Sequence, residues 1–181
     1  MTPIEVYKKE ANSPLIRIVG SNFPKWARQH FMHVVPENDE PVLKDLSVED
    51  PSWKVYYFYP KDFDELSATE IAEFDSLVEE FNKLNCKVFG VSPDSELAKL
   101  AWKKQNTTIA GIKHTLISDI GNALASDLGI VTLGGYPIRA TYILNEYDSI
   151  RHVAFSSAEV VRSAAETLRA LKETQKVENT D

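Results

Sequence analysis

A chain of 181 residues, 43% hydrophobic and 26% charged, has globular composition and enough length to bury one core without disulfide or metal staples. A formal net charge of −7 repels phosphate backbones and excludes nucleic acid as an expected partner. No apolar run approaches the roughly 20 residues that span a bilayer, the start of the chain has no signal-peptide pattern, and the single Cys86 forbids an internal disulfide, so a cytoplasmic protein without membrane contact is expected.

In chain order, residues 1–13 are polar and expected to be loose. Residues 15–19 alternate weakly and read as a short strand ended by Gly20. Residues 21–52 carry Pro24, Pro36, Pro41 and Pro51 among acidic residues, which predicts loop with one helical turn at residues 26–31. From Trp53 the pattern becomes regular. Residues 53–59, Trp-Lys-Val-Tyr-Tyr-Phe-Tyr, form an aromatic and β-branched run of strand length. Then Ile71, Phe74, Leu77, Val78, Phe81 and Leu84 recur three or four residues apart and draw one apolar stripe along a helix.

Residues 86–92 read as a second strand, and Asp94 or Ser95 caps a helix through Ala98, Leu100, Ala101 and Trp102. A short strand at 115–117 and a short helix at 122–127 closed by Gly129 follow. Residues 139–144 and 149–155 flank Asn145-Glu146-Tyr147-Asp148 and predict a β-hairpin. Ser156-x-x-Glu159 fits a capping box for a last helix with Val160, Val161, Ala164, Leu168 and Leu171 facing inward, and residues 173–181 are again expected to be loose. Alternating strands and helices followed by a hairpin and a helix predict a mixed sheet flanked by helices, an α/β domain over residues 1–181.

The strand-to-helix crossing at residues 58–71 lies at the carboxyl end of a strand, where chemistry collects in open α/β sheets. It reads Phe58-Tyr59-Pro60-Lys61-Asp62-Phe63-Asp64-Glu65-Leu66-Ser67-Ala68-Thr69-Glu70-Ile71. That segment resembles the active site of the peroxiredoxins of the alkyl hydroperoxide reductase/thiol-specific antioxidant (AhpC/TSA) family, Phe-Tyr-Pro-x-Asp-Phe-Thr-Phe-Val-Cys-Pro-Thr-Glu-Ile. Phe58, Tyr59, Pro60, Asp62, Phe63, Thr69, Glu70 and Ile71 match it. Further likenesses fall at Gly90-Val91-Ser92-x-Asp94-Ser95, Trp102, Ser118-Asp119 and Arg162-Ser163-x-x-Glu166-Thr167-Leu168-Arg169. The resemblance implies a thioredoxin-like fold over residues 53–172 and makes residues 21–52 the most divergent part.

The resemblance also implies a site. Arg139 matches the family arginine beside the reacting sulfur, Pro60 the proline of the loop, and Glu70 and Arg162 its supporting charges. The departures fall where the chemistry should be: Ser67 stands at the position of the peroxidatic Cys, Asp64 at that of the Thr, and Ala68 at that of the following Pro. A thiol peroxidase needs a thiolate, which a hydroxyl does not supply. Asp64 adds like-charge repulsion against any anion formed there.

The expectation is therefore a natural peroxiredoxin homologue without peroxidase activity, kept for binding or assembly. The alternative is an active hydroperoxide-reducing peroxiredoxin seen as a Cys-to-Ser variant, with hydroperoxide and a thiol reductant as partners. Four clustered departures, Asp64, Glu65, Ser67 and Ala68, speak against a single deliberate change. A hydrolase reading lacks a base, because His30, His33, His114 and His152 all lie outside the segment. No cofactor and no metal is expected. By resemblance the chain pairs as a homodimer through the strand at 149–155, and rings of dimers are compatible with it.

Several features have plainer readings. Ser67-x-x-Glu70 fits a capping box, with Asp64 and Glu65 favourable near a helix amino terminus. Cys86 opens a predicted buried strand, where a free thiol is inert, and no second Cys occurs near the carboxyl terminus. Tyr56, Tyr57, Phe58 and Tyr59 read as core and pocket wall, and Gly134-Gly135 as a turn without a phosphate loop.

Overall fold

The computed structural model describes residues 17–24, 32–34, 41–43 and 50–178. Its elements run β1 (Met32–Val34), β2 (Pro41–Leu43), β3 (Trp53–Phe58), α1 (Glu65–Ser76), α2 (Val78–Lys83), β4 (Cys86–Ser92), α3 (Glu96–Gln105), β5 (Thr115–Ser118), α4 (Ala123–Asp127), β6 (Arg139–Leu144), β7 (Ile150–Ser156) and α5 (Ala164–Glu178). The strands form one sheet in the order β2-β1-β5-β4-β3-β6-β7. The β3–β4 and β4–β5 pairs are parallel, while β1, β6 and β7 join antiparallel. With helices on both faces, this is the expected mixed α/β sheet of a thioredoxin-like fold.

Burial on both faces explains the sequence of β3. All six of its residues are buried, as continuous apolar runs in covered strands require. Trp53, Val55, Tyr57 and Tyr59 face one cluster with Ile71, Phe74, Phe81, Trp102 and Leu171. Tyr56 and Phe58 face the other, with Phe23, Phe89, Leu124 and Tyr142. Lys54, the one charged residue of the strand, ends on Asp148 at 3.2 Å and on the carbonyls of Asp50 and Ser52. Here β3 therefore delivers Pro60 and α1 to a fixed place at its carboxyl end.

Several expectations need correcting. Residues 17–19 form no strand; Arg17 is tied to the Leu128 carbonyl instead, and residues 15 and 16 lie outside the described residues. The loop-rich segment at 21–52 contains β1 and β2, strands too short to show period-two alternation. The expected helical turn at 26–31 and the loose residues 1–13 lie outside the described residues. The single long helix is broken at Leu77 (φ −106°, ψ 4°), whose N–H bonds back to Phe74 only three residues away. Its apolar stripe nevertheless continues, because Phe74 and Phe81 still pack with centroids 6.2 Å apart.

The last helix starts at Ala164, not after Ser156, and Val160 and Val161 are half exposed rather than inward. Two carboxylates from α1 displace the start: Glu70 accepts from Arg162 N at 2.8 Å, and Glu73 accepts from Ala164 N at 3.0 Å. Residues 157–163 are thereby held over the end of β3 instead of coiling. The helix then runs through the segment expected to be loose as far as Glu178, and residues 179–181 lie outside the described residues. Strands β4, β5 and β6, the Ser95 cap and the hairpin agree with expectation.

Candidate functional site

The turn between β3 and α1 is set by Phe63, a non-glycine residue at φ 57°, in a left-handed conformation that L-residues adopt only at a cost. It leaves Asp64 at the helix N-cap. The Asp64 carboxylate accepts from Ser67 N at 2.9 Å and from Ser67 Oγ at 2.5 Å. Ser67 is thus the third residue of the helix and not its cap. The expected capping box at Ser67 and Glu70 does not form; the cap lies three residues earlier, at Asp64, which frees Glu70.

Glu70 points inward instead. Fully buried, it takes Arg139 Nη1 at 2.8 Å on Oε2 and Arg162 N at 2.8 Å on Oε1, with Arg162 Nη2 3.2 Å from Oε2. Arg162 also donates to the carbonyls of Phe58 and Ala140, and its guanidinium lies 5.4 Å from the Tyr57 ring. Arg139 is the hub. Its Nη1 donates to Ser67 Oγ at 3.1 Å, its Nη2 to Asp64 at 3.0 Å and its Nε to the Ala158 carbonyl at 2.7 Å.

All of Asp64, Ser67, Glu70, Arg139 and Arg162 are therefore brought into one network. Pro60 lies beside it, lining with Lys61, Asp64, Tyr136, Arg139, Ala158 and Glu159 a pocket of about 320 Å³.

This arrangement limits what the site can do. The charges of Arg139 and Arg162 are balanced by Asp64 and Glu70, and all but one of the Arg139 N–H groups are spent on protein acceptors. Little positive field is left for an anion. Burial alone would push the Asp64 carboxyl up, but the Ser67 hydroxyl and N–H and the Arg139 guanidinium outweigh it and hold the group below its ordinary range. A carboxylate held so low is a weak base, so the Ser67 hydroxyl keeps its proton. Among the described residues the partners of Ser67 Oγ are Asp64 and Arg139, and no histidine reaches it.

Cys86 lies elsewhere, at the start of β4 and 1% exposed, and burial pushes its thiol pKa up. Among the described residues no group of His, Cys, Asp and Glu could hold a metal ion, and no helix is long and apolar enough to cross a membrane.

Sequence reasoning missed two parts of the surroundings. Ala158 acts through its carbonyl, which leaves no trace in residue type. Asp62, Ser92 and Lys99 form a buried polar cluster beside the loop. Lys99 Nζ lies 3.2 Å from Asp62 Oδ1, and Ser92 Oγ donates to that oxygen at 2.8 Å. Burial raises the Asp62 pKa and lowers that of Lys99. A polar residue ending the apolar strand β4 was the available signal.

A family model, AhpC/TSA family, matches residues 19–153. The chain belongs to the AhpC/TSA family. It is 37% identical over 142 residues to the human "Thioredoxin-dependent peroxide reductase, mitochondrial", covering 75% of this chain and 56% of that protein. To "Alkyl hydroperoxide reductase C" of Mycobacterium tuberculosis it is 34% identical over 119 residues, 66% of this chain and 61% of the relative. The chain thus spans little more than half the length of the curated relatives it matches.

Among solved structures, the reduced 2-Cys peroxiredoxin of Plasmodium vivax superposes with a TM-score of 0.81 at 28% identity, covering 90% of this chain and 84% of that one. Mycobacterium tuberculosis AhpC superposes at 0.77 and 26%, covering 89% and 99%. The thioredoxin-like fold and peroxiredoxin kinship are those expected from the segment at 58–71.

Proposed function

We propose that this AhpC/TSA-family chain is a peroxiredoxin homologue whose thiol peroxidase chemistry has lapsed, with Ser67 at the place of the peroxidatic cysteine and Asp64 and Ala68 in place of the family's Thr and Pro. The observation that carries the reading is the state of sulfur in the chain. Its one cysteine, Cys86, is buried with a raised pKa, whereas the arginine-lined position holds a hydroxyl bonded to a carboxylate. Attack on a peroxide needs a thiolate, which neither position offers at neutral pH.

The retained role is binding or assembly. In the sheet β7 has β6 as its one strand neighbour among the described residues; Gly20 and Ser21 bond to Ile150 at its start, while Phe155 further along is 44% exposed, so a second copy joined along the rest of the edge would cover it. A homodimer in a reducing compartment, the cytoplasm, fits these features.

A second reading, an active hydroperoxide-reducing enzyme seen as a Cys-to-Ser variant, draws on the intact Arg139–Glu70–Arg162 network. The two readings part at Ser67→Cys, which restores rapid peroxide turnover only under the second; the first is tested on the chain as it stands. Peroxide consumption with a thiol reductant is measured for the unaltered chain and for Cys86→Ala. No turnover in either supports the lapsed enzyme, while activity that disappears with Cys86→Ala contradicts it.

A further inference from the structure

Away from Ser67, a second buried relay joins three side chains from three parts of the fold. Tyr57 of β3, fully buried, meets His114 Nε2 through its phenol oxygen at 2.6 Å. His114 Nδ1 lies 2.8 Å from Asp75 Oδ1, at the end of α1. The same carboxylate accepts from Lys113 N at 2.6 Å and from His114 N at 3.1 Å. Burial would push the Asp75 carboxyl up, but the His114 ring and these backbone groups together hold it below its ordinary range.

An ionised carboxylate can only accept, so Nδ1 donates to Asp75, and the tautomer with its one proton there turns Nε2 as an acceptor toward the phenol. The Tyr57 proton has no other acceptor among the described residues. The hydroxyl rests over Gly90, where even a Cβ would come within 2.5 Å of it.

Two further features bear on electron loss from this ring. Arg162 sits over it at 5.4 Å, a cation that disfavours a second positive charge on the ring and so requires the proton to leave with the electron. A file of aromatic rings leads outward from it. Tyr57 to Tyr59 is 6.2 Å between centroids, Tyr59 to Trp102 is 6.3 Å and Trp102 to Phe63 is 6.0 Å, with Phe63 55% exposed.

We propose that Tyr57 is a proton-coupled hole trap that lets this chain quench one-electron oxidants of the peroxyl-radical class without a thiol. The phenol O–H bond breaks, its proton forms an N–H bond at His114 Nε2, and one electron leaves through Tyr59 and Trp102. The peroxyl radical, with that electron and a proton from solvent, becomes a hydroperoxide; Tyr57 becomes a neutral tyrosyl radical, and Asp75 stabilises the imidazolium. None of these steps uses Ser67, so the inference stands apart from the reading of that site.

The test is flash oxidation of the whole chain by photogenerated tris(bipyridyl)ruthenium(III), followed by the absorption and electron paramagnetic resonance of the tyrosyl radical over a range of buffer concentrations. Because the base is internal, the radical forms at a rate independent of buffer concentration, and Tyr57→Phe removes it. His114→Phe slows its formation by about 100-fold, the loss of a positioned base, and makes it buffer-dependent. A wild-type rate that climbs with buffer base, no radical at all, or an undiminished signal in Tyr57→Phe that places the hole on an exposed ring such as Tyr147 overturns the proposal. The wild-type buffer dependence decides even where a variant does not fold.

Discussion

Asp64 is the residue on which the local structure of the site turns. Its carboxylate caps α1, holds the Ser67 hydroxyl and neutralises Arg139. Replacing it with Ala removes the cap and is expected to cost about 1 kcal/mol, measured by urea denaturation. The pH dependence follows from the sign of its shift. With a folded pKa below the ordinary 3.8, Asp64 contributes stability that is fully present above that value and is lost as pH falls through the depressed one. Asp75 behaves in the same sense. Acid titration of stability should therefore steepen below about pH 4, and Asp64→Ala should flatten part of that fall; a slope unchanged by the substitution would contradict the assignment.

Among the elements, α1 and the segment before α5 are bound through Glu70. It is buried between two arginines, so Glu70→Gln leaves Arg162 without its counter-charge and Arg139 with Asp64 alone, and is expected to destabilise by about 3–5 kcal/mol in the same denaturation experiment. Gly90→Ala, in the middle of β4, drives a methyl against the Tyr57 phenol and Leu116 and is expected to cost about 1–3 kcal/mol in thermal unfolding.

Legibility in the sequence follows the same divide. The β3 run and the Ile71–Phe74 stripe were readable because burial imposes period and residue type on them. The break at Leu77 and the late start of α5 were not; the late start arises from hydrogen bonds between segments far apart in the chain, such as Glu70 to Arg162 N. Asp64, Ser67, Glu70, Arg139 and Arg162 were each named from the resemblance, but which of Asp64 and Ser67 caps the helix was decided by three-dimensional packing. The Tyr57–His114–Asp75 relay left no sequence signal, since its members come from separate parts of the chain with no characteristic spacing.

For the whole molecule, the edge strand is the feature with consequences beyond one chain. A second copy adding to β7 would bury Phe155, so Phe155→Lys should shift the sedimentation coefficient from dimer to monomer, and an unchanged coefficient would exclude this edge as the interface. The same scale explains how the site scaffold stays ordered independently of Ser67. The sheet and the paired carboxylates hold Arg139 in place whatever atom occupies position 67.

The most direct measurement is stopped-flow peroxide reduction by Ser67→Cys alone and by Ser67→Cys combined with Asp64→Thr. If the carboxylate holds the new thiol protonated, the single variant stays nearly inactive and the double variant gains at least about tenfold, one pKa unit of relief in the thiolate fraction. Equal and rapid turnover by the single variant would contradict that.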